Sequence, residues 1–391
     1  MSEPQPSRPG TPLPPAARPA RPPGTFKVGT IAGSDVLITS SWFLIAALIA
    51  WTVSPRVDQV APGLGGLKYV AGFAFAVVLY LSVLLHEASH AYMARHFGFE
   101  VSSITLHFLG GATQIDGEAR TPRQEFMIAV VGPLTSLAVG GLAMGLWYIT
   151  PDGLLLMAVE GLAGANLIVG VLNLVPGLPL DGGRVLKSVV WGATGSMLRG
   201  TVVAAWTGRV VALAALAWPL VQAKVLGTPP DLFDVFISAM IAMFLWTAAS
   251  ASLGSAQARS RLPALVGRRL ARRALAVPDD LPLAEALRRA RDAEAGSLIT
   301  VTGGGVPVGL VSEAALVATP EERRPWVAVS TVARSLEPGM RLPADIAGEE
   351  LVRAMSATPA HDYLLVEDDG TVYGVLSAVD VERAFREARG R

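Results

Sequence analysis

His86-Glu87-Ala88-Ser89-His90 places two imidazoles four residues apart, with a carboxylate beside the first. At 3.6 residues per turn, positions 86 and 90 share one helix face, so both rings can reach one ion. Glu87 then stands where it can take a proton from water at that ion. The motif lies in an otherwise apolar stretch, where an ionisable group costs about 2.5–3.5 kcal/mol to insert and usually marks function. The competing explanation is a polar cluster at a helix end, its rings satisfied by neighbouring helices. The chain contains no cysteine, which excludes disulfides and thiolate metal sites. A catalytic zinc takes three protein ligands and keeps one position open, so the third ligand must be a histidine or a carboxylate. Asp181 is the best candidate, in Asn173-Leu-Val-Pro-Gly-Leu-Pro-Leu-Asp181-Gly-Gly-Arg184. Pro176, Gly177 and Pro179 break helical hydrogen bonding there. At membrane depth such irregularity is tolerated only where it is buried in protein or lines a cavity. Taken alone, Pro-Leu-Asp-Gly-Gly also reads as a turn at the membrane exit.

The elements that must carry these residues follow from charge. Of 391 residues 51% are hydrophobic and 16% charged, against roughly 25% charged in an ordinary soluble protein. The deficit is uneven: residues 1–260 hold 28 charged side chains, whereas residues 261–391 hold 36. A membrane part, 26–260, and a soluble part, 261–391, are therefore expected. Formal net charge is zero, which removes a broad electrostatic case for a nucleic-acid partner. Residues 1–25 form a Pro-rich, positively charged tail that reads as disordered and carries no signal-peptide-like apolar run. The next residues suggest a short strand before the first membrane helix. Charge-free runs at Val36–Pro55, Tyr69–Leu85, Phe126–Pro151, Gly161–Leu180, Val210–Ala223 and Val235–Ala258 mark about six spans. The second reaches spanning length only by continuing through the HEASH cluster, and the fifth needs part of the amphipathic stretch before it. Lys and Arg in the short loops favour a multi-pass protein of the cell membrane with both termini cytoplasmic. By the same rule Arg268–Arg273 reads as a positive-inside anchor, and small residues in Gly140–Gly145 suit tight helix packing.

The soluble part repeats itself. Residues 299–316 align without gaps to 364–381, an offset of 65, matching at Val301/Val366, Gly305/Gly370, Gly309/Gly374 and Ser312/Ser377. Each copy reads as strand, Gly turn, strand, helix, preceded by an amphipathic helix. Two such units, about 265–325 and 330–389, make one small α/β module.

HEASH in one span and NLVPGLPLDGGR in a later one resemble the site-2 protease family of intramembrane zinc metalloproteases. The order of parts is similar to the branch with six spans and a C-terminal pair of cystathionine-β-synthase (CBS) domains, related to the sporulation protease that cleaves a pro-sigma factor. The resemblance covers about residues 26–390. It implies a multi-pass α-helical membrane protein with a C-terminal α/β CBS-domain pair. It implies one zinc per chain on His86, His90 and Asp181, Glu87 as general base, and Asn173 lining the site against the substrate backbone. Some members have Gly-Pro-x-x-Asn in the third span; here Gly132-Pro133-Leu134-Thr135-Ser136 ends in Ser, so an oxyanion role does not carry over to that position. CBS modules often bind adenine nucleotides through an Asp late in the strand–helix turn. Asp380 keeps that pattern and Ala315 has lost it, so at most one nucleotide site is expected, with a purely structural or dimerising module as the other reading.

The resemblance implies an endopeptidase acting on single-span membrane proteins, such as anti-sigma or pro-sigma factors, and leaves a homo-oligomer open. The alternative class is a CBS-gated transporter or channel with His86, Glu87 and Asp181 as an ion path; transporters usually show repeat symmetry among their spans, and none is visible here. Thr105–Ile115 is either a strand edge that captures an unwound substrate or a structural hairpin. His107 within it reads as a surface histidine, and neither His96 nor His361 has metal-ligand spacing.

Overall fold

In the computed structural model, residues 24–31, 33–108, 110–227 and 229–388 are described. All but the last two residues of the tail expected at 1–25 therefore fall outside the described residues. The chain divides into two compact units, Met1–Ser250 and Ala251–Arg391.

The first unit runs β1 (Thr25–Ile31), β2 (Ser34–Thr39), α1 (Ser40–Val60), α2 (Leu67–His96), β3 (Glu100–His107), β4 (Gly110–Asp116), α3 (Pro122–Trp147), α4 (Leu154–Asn173), α5 (Asp181–Thr194), α6 (Met197–Leu226) and α7 (Leu232–Arg261), the last extending into the second unit. Six of these helices, all but α5, are long and apolar enough to cross a membrane. Leu142, Leu155 and Ile168 stay 71%, 63% and 61% exposed, as lipid-facing side chains do. The helices meet through small residues. A Cβ on Gly72 would come within 2.7 Å of the Ala50 carbonyl of α1, and Gly140 and Gly170 seat Leu167 and Leu137 across the α3–α4 contact. Gly141 and Gly145, by contrast, face open space.

The strand expected before α1 is a hairpin, and it joins the β3–β4 hairpin in a four-stranded sheet of order β1-β2-β3-β4. β2 and β3 pair in parallel, the other neighbours antiparallel. β4 pairs only with β3, leaving its outer edge without a strand partner among the described residues. A turn is the competing reading of Asp181-Gly-Gly; the structure begins α5 there. It is a 14-residue amphipathic helix, ended by Gly195 in the left-handed conformation (φ 69°). The fifth span is accordingly longer than its charge-free run, starting at Met197 after the Ser196 cap.

The second unit contains α8 (Gly267–Leu270), β5 (Ala274–Pro278), α9 (Leu283–Asp292), β6 (Ser297–Val301), β7 (Pro307–Val311), α10 (Glu313–Ala318), β8 (Ala333–Ser335), β9 (Arg341–Pro343), α11 (Gly348–Ala357), β10 (Asp362–Val366), β11 (Val372–Ser377) and α12 (Ala378–Glu387). The 65-residue repeat is geometrical: α9 and α11, β6 and β10, and the starts of β7 and β11 are offset by that number. Both antiparallel pairs break register at the equivalent step, Thr300/Val301 and Leu365/Val366. Ile299, Leu310, Leu364, Leu365 and Leu376 from both copies join one buried cluster. Arg268 and Arg272, from the stretch read as a positive-inside anchor, also make ion pairs within this unit. Arg268 bonds Asp345 and both oxygens of Glu367, and Arg272 bonds Asp380.

Candidate metal centre

α2 carries His86, Glu87 and His90 as buried residues of one continuous helix. Asp181 arrives from the other side as the first residue of α5, where a carboxylate is favoured by the positive end of the helix dipole. The two glycines after it have a steric cause. A Cβ on Gly182 would overlap the carbonyls of Leu174 and Val175, and one on Gly183 would reach within 2.6 Å of the Gly177 oxygen. The Pro-rich loop thus folds directly onto the first turn of α5. The Leu178 N–H donates to the Ala204 carbonyl of α6 at 3.0 Å, and Gly177 approaches Gly208 of the same helix so closely that a Cβ would stand 2.7 Å from its Cα.

Three donor atoms converge. His86 Nε2 lies 3.2 Å from His90 Nε2 and 3.2 Å from Asp181 Oδ2, and His90 Nε2 lies 3.3 Å from the same oxygen. Among the described residues this is the group of His, Asp and Glu able to share one ion. A tetrahedral ion with bonds of about 2.0–2.1 Å keeps neighbouring ligand atoms about 3.3–3.4 Å apart, so the three atoms have the spacing of three corners of such a shell. The proton positions agree. His90 Nδ1 donates to the Ile128 carbonyl at 2.6 Å, which in a neutral ring leaves the lone pair at Nε2. His90 Nε2 and Asp181 Oδ2 thus both offer lone pairs, as does His86 Nε2 in the tautomer whose Nδ1–H donates to Ser136, and such a set repels unless a cation lies between its members. The donor set therefore fits zinc. His107 and His96 stand outside the group: the His107 carbonyl accepts from Tyr80 at 3.1 Å, and His96 meets the Phe97 ring edge-on.

Glu87 is 9% exposed, and its Oε2 accepts from the Thr113 hydroxyl of β4 at 2.7 Å. Gly111, two residues earlier, leaves room for the carboxyl group; a Cβ there would lie 2.9 Å from Glu87 Cδ. The strand with the open edge thus passes over Glu87.

α3 supplies groups whose contacts the Gly132–Ser136 motif does not report. His86 Nδ1 lies 2.9 Å from Ser136 Oγ, so the departure from Gly-Pro-x-x-Asn places a hydroxyl on the back of the first imidazole. Gly132 clears the centre, since a Cβ would overlap His90 Nε2 and stand 2.7 Å from His86 Nε2. The available signal was spacing: residues 128, 132 and 136 follow one helical stripe. Asn173 ends α4, half-buried, outside the metal group. The asparagine buried in α4 is Asn166, which donates to Ser82 Oγ at 3.0 Å. Asp380, in the first turn of α12, is taken by Arg272 at 2.6 Å and Arg383 at 3.1 Å. The Arg272 hydrogen bond, against a smaller desolvation effect, holds its carboxyl below the usual range.

A membrane unit with six helices of spanning length, a buried His-His-Asp donor set and an adjacent glutamate has the parts of a membrane-embedded metal site. Residues 74–152 and 152–217 match the model of peptidase family M50, so the membrane region is similar to that family. A relative named as a candidate zinc metalloprotease, Rip3 of Mycobacterium tuberculosis, is 38% identical over 200 residues, 50% of this chain and 51% of Rip3. The chain thus matches about half the length of that relative. The solved site-2 protease of Methanocaldococcus jannaschii aligns with 59% of this chain and 95% of its own, at 23% identity and a TM-score of 0.41. The CBS-domain protein ATU1752 of Agrobacterium tumefaciens aligns with 31% of this chain and 93% of its own, at 21% identity and a TM-score of 0.25.

Proposed function

We propose that the chain is an intramembrane zinc endopeptidase that cuts single-span membrane proteins, with His86, His90 and Asp181 as ligands of one zinc and Glu87 as general base. The observation that carries this reading is the convergence of three donor atoms at 3.2–3.3 Å beside a buried glutamate. When bound, zinc supplies Lewis acidity toward the scissile carbonyl and toward water. Glu87 takes the proton from the attacking water and returns it to the leaving amine. Thr113 orients the Glu87 oxygen that does this, and Ser136 and the Ile128 carbonyl hold the two imidazoles with Nε2 forward. Peptide groups in an intact helix are shielded by their own hydrogen bonds, so the substrate segment must unwind. The outer edge of β4 then takes it up by strand addition, which lays its backbone beside Glu87. Asn173 is assigned a role in holding that backbone.

Both termini are placed in the cytoplasm and the substrate class is that of anti-sigma or pro-sigma factors. The CBS pair is assigned a regulatory role through one adenine nucleotide site at Asp380, where ribose hydroxyls must compete with Arg272. Calorimetry on the full chain should give one site weakened ten- to a hundredfold by Asp380→Ala; two equivalent sites contradict this. The activity itself is tested by co-expression with candidate single-span proteins. Wild type should release a fragment that Glu87→Gln does not, and equal cleavage by both removes Glu87 as the base.

A further inference from the structure

Glu125 is a buried carboxylate in the first turn of α3, 5% exposed and outside the metal group. Its Oε1 accepts from Arg184 Nε at 3.1 Å and from Lys187 Nζ at 3.4 Å. Both cations belong to α5, three and six residues beyond Asp181. Glu125 also continues a stripe: at 125, 128, 132 and 136 one face of α3 presents a carboxylate, a carbonyl, a glycine and a hydroxyl. Three of these bear directly on the imidazoles of α2. The fourth reaches α5, the helix that begins at Asp181.

We infer that Glu125 is a positioning residue for the third ligand: its ion pair with Arg184 and Lys187 pins the first turns of α5 against α3 and thereby sets the Asp181 carboxylate at the distance at which it joins the two histidines. This rests on the reading that His86, His90 and Asp181 hold one metal. The need for such a tie is geometrical. The two histidines share one rigid helix, whereas Asp181 follows a loop with Pro176, Gly177 and Pro179, and its helix is not among the spans. Loop contacts with α6 hold the segment from behind through Leu178, Gly177 and Gly208. The Glu125 pair holds it from the side of α3, so α5 is fixed between two spans. A 290 Å³ cavity reaches Glu125, Arg184 and Lys187 together with Thr113, so water can solvate whichever of these charges a substitution leaves behind.

The test uses the full chain in detergent, stripped of metal and titrated with Co2+, whose visible absorption reports coordination geometry. The informative variants are Glu125→Gln/Arg184→Gln, which removes the shorter ion pair and leaves Lys187 to the water of the cavity, and Glu125→Asp, which keeps the charge but draws it back. The double variant should bind Co2+ ten- to a hundredfold more weakly than wild type, the usual effect of losing a group that orients a ligand, with altered absorption bands. Glu125→Asp should fall between, and Arg184→Lys should stay near wild type. Wild-type affinity and spectrum in both Glu125 variants overturn the inference. A wild type that takes up no Co2+, or an Asp181→Ala variant that binds it unchanged, overturns instead the metal reading on which it stands.

Discussion

At the scale of single residues, the centre is held by groups that are chemically silent on their own. Gly132 is the sharpest case, because a helix interior prefers Ala over Gly by about 1 kcal/mol while the site forbids a Cβ there. Gly132→Ala should therefore leave the protein folded and at least as resistant to heat, yet lower zinc content severely; elemental analysis beside thermal unfolding separates the two effects. Thr113 acts on the base in the same quiet way. Its hydroxyl donates to a carboxylate, a bond worth about 1.5–3 kcal/mol, so Thr113→Val should cut kcat roughly ten- to a hundredfold with metal content unchanged. A variant as active as wild type shows that Glu87 needs no such partner. In the soluble part, the Arg272 hydrogen bond lowers the Asp380 pKa against desolvation. The stability this contributes is fully present above about pH 4, the ordinary carboxylate value, and is lost as pH falls through the lowered value. Asp380→Asn should remove that part of the acid-side loss, read by hydrogen exchange in α12 between pH 3 and 6.

At the scale of elements, the site depends on where α5 begins. Gly182→Ala would drive a methyl group into the carbonyls of Leu174 and Val175. The loop must then shift, and Asp181 with it. Loss of metal with the six spans still inserted is the expected result, checked by zinc content and protease protection of the loops. This is also where reading from sequence met its limit. His86, Glu87 and His90 are legible because a helix brings i and i+4 together whatever surrounds it. The spans are legible because a bilayer demands charge-free length, and the tail because its copies preserve one spacing. α5 is not, since Asp-Gly-Gly signals a turn locally and becomes helix only because the loop packs where side chains would otherwise be. Glu125 lies 59 residues from Arg184, and no local pattern reports a partner so distant; Ser136 stands at a motif position, but its contact with His86, 50 residues away, is not readable from the motif.

At the scale of the whole molecule, the chain joins a unit whose surface is apolar because lipid faces it to a unit with an ordinary charged surface. The first is organised around α3, which touches both imidazoles and, through Glu125, the helix that begins at Asp181. The second is organised around a duplicated core in which Leu364, Leu365 and Leu376 are fully covered. Leu365→Ala should cost the tail about 2–5 kcal/mol, with exchange rising in β10 and β11 while zinc content holds. The central claim, that two histidines and Asp181 bind one zinc, is tested most directly by zinc K-edge absorption and stoichiometry on the purified full chain. The predicted result is one zinc per chain with only nitrogen and oxygen neighbours at about 2.0–2.1 Å, two of them imidazoles, and a sharp loss of zinc in Asp181→Ala. One zinc bound with unchanged affinity and an unchanged spectrum in that variant would contradict it.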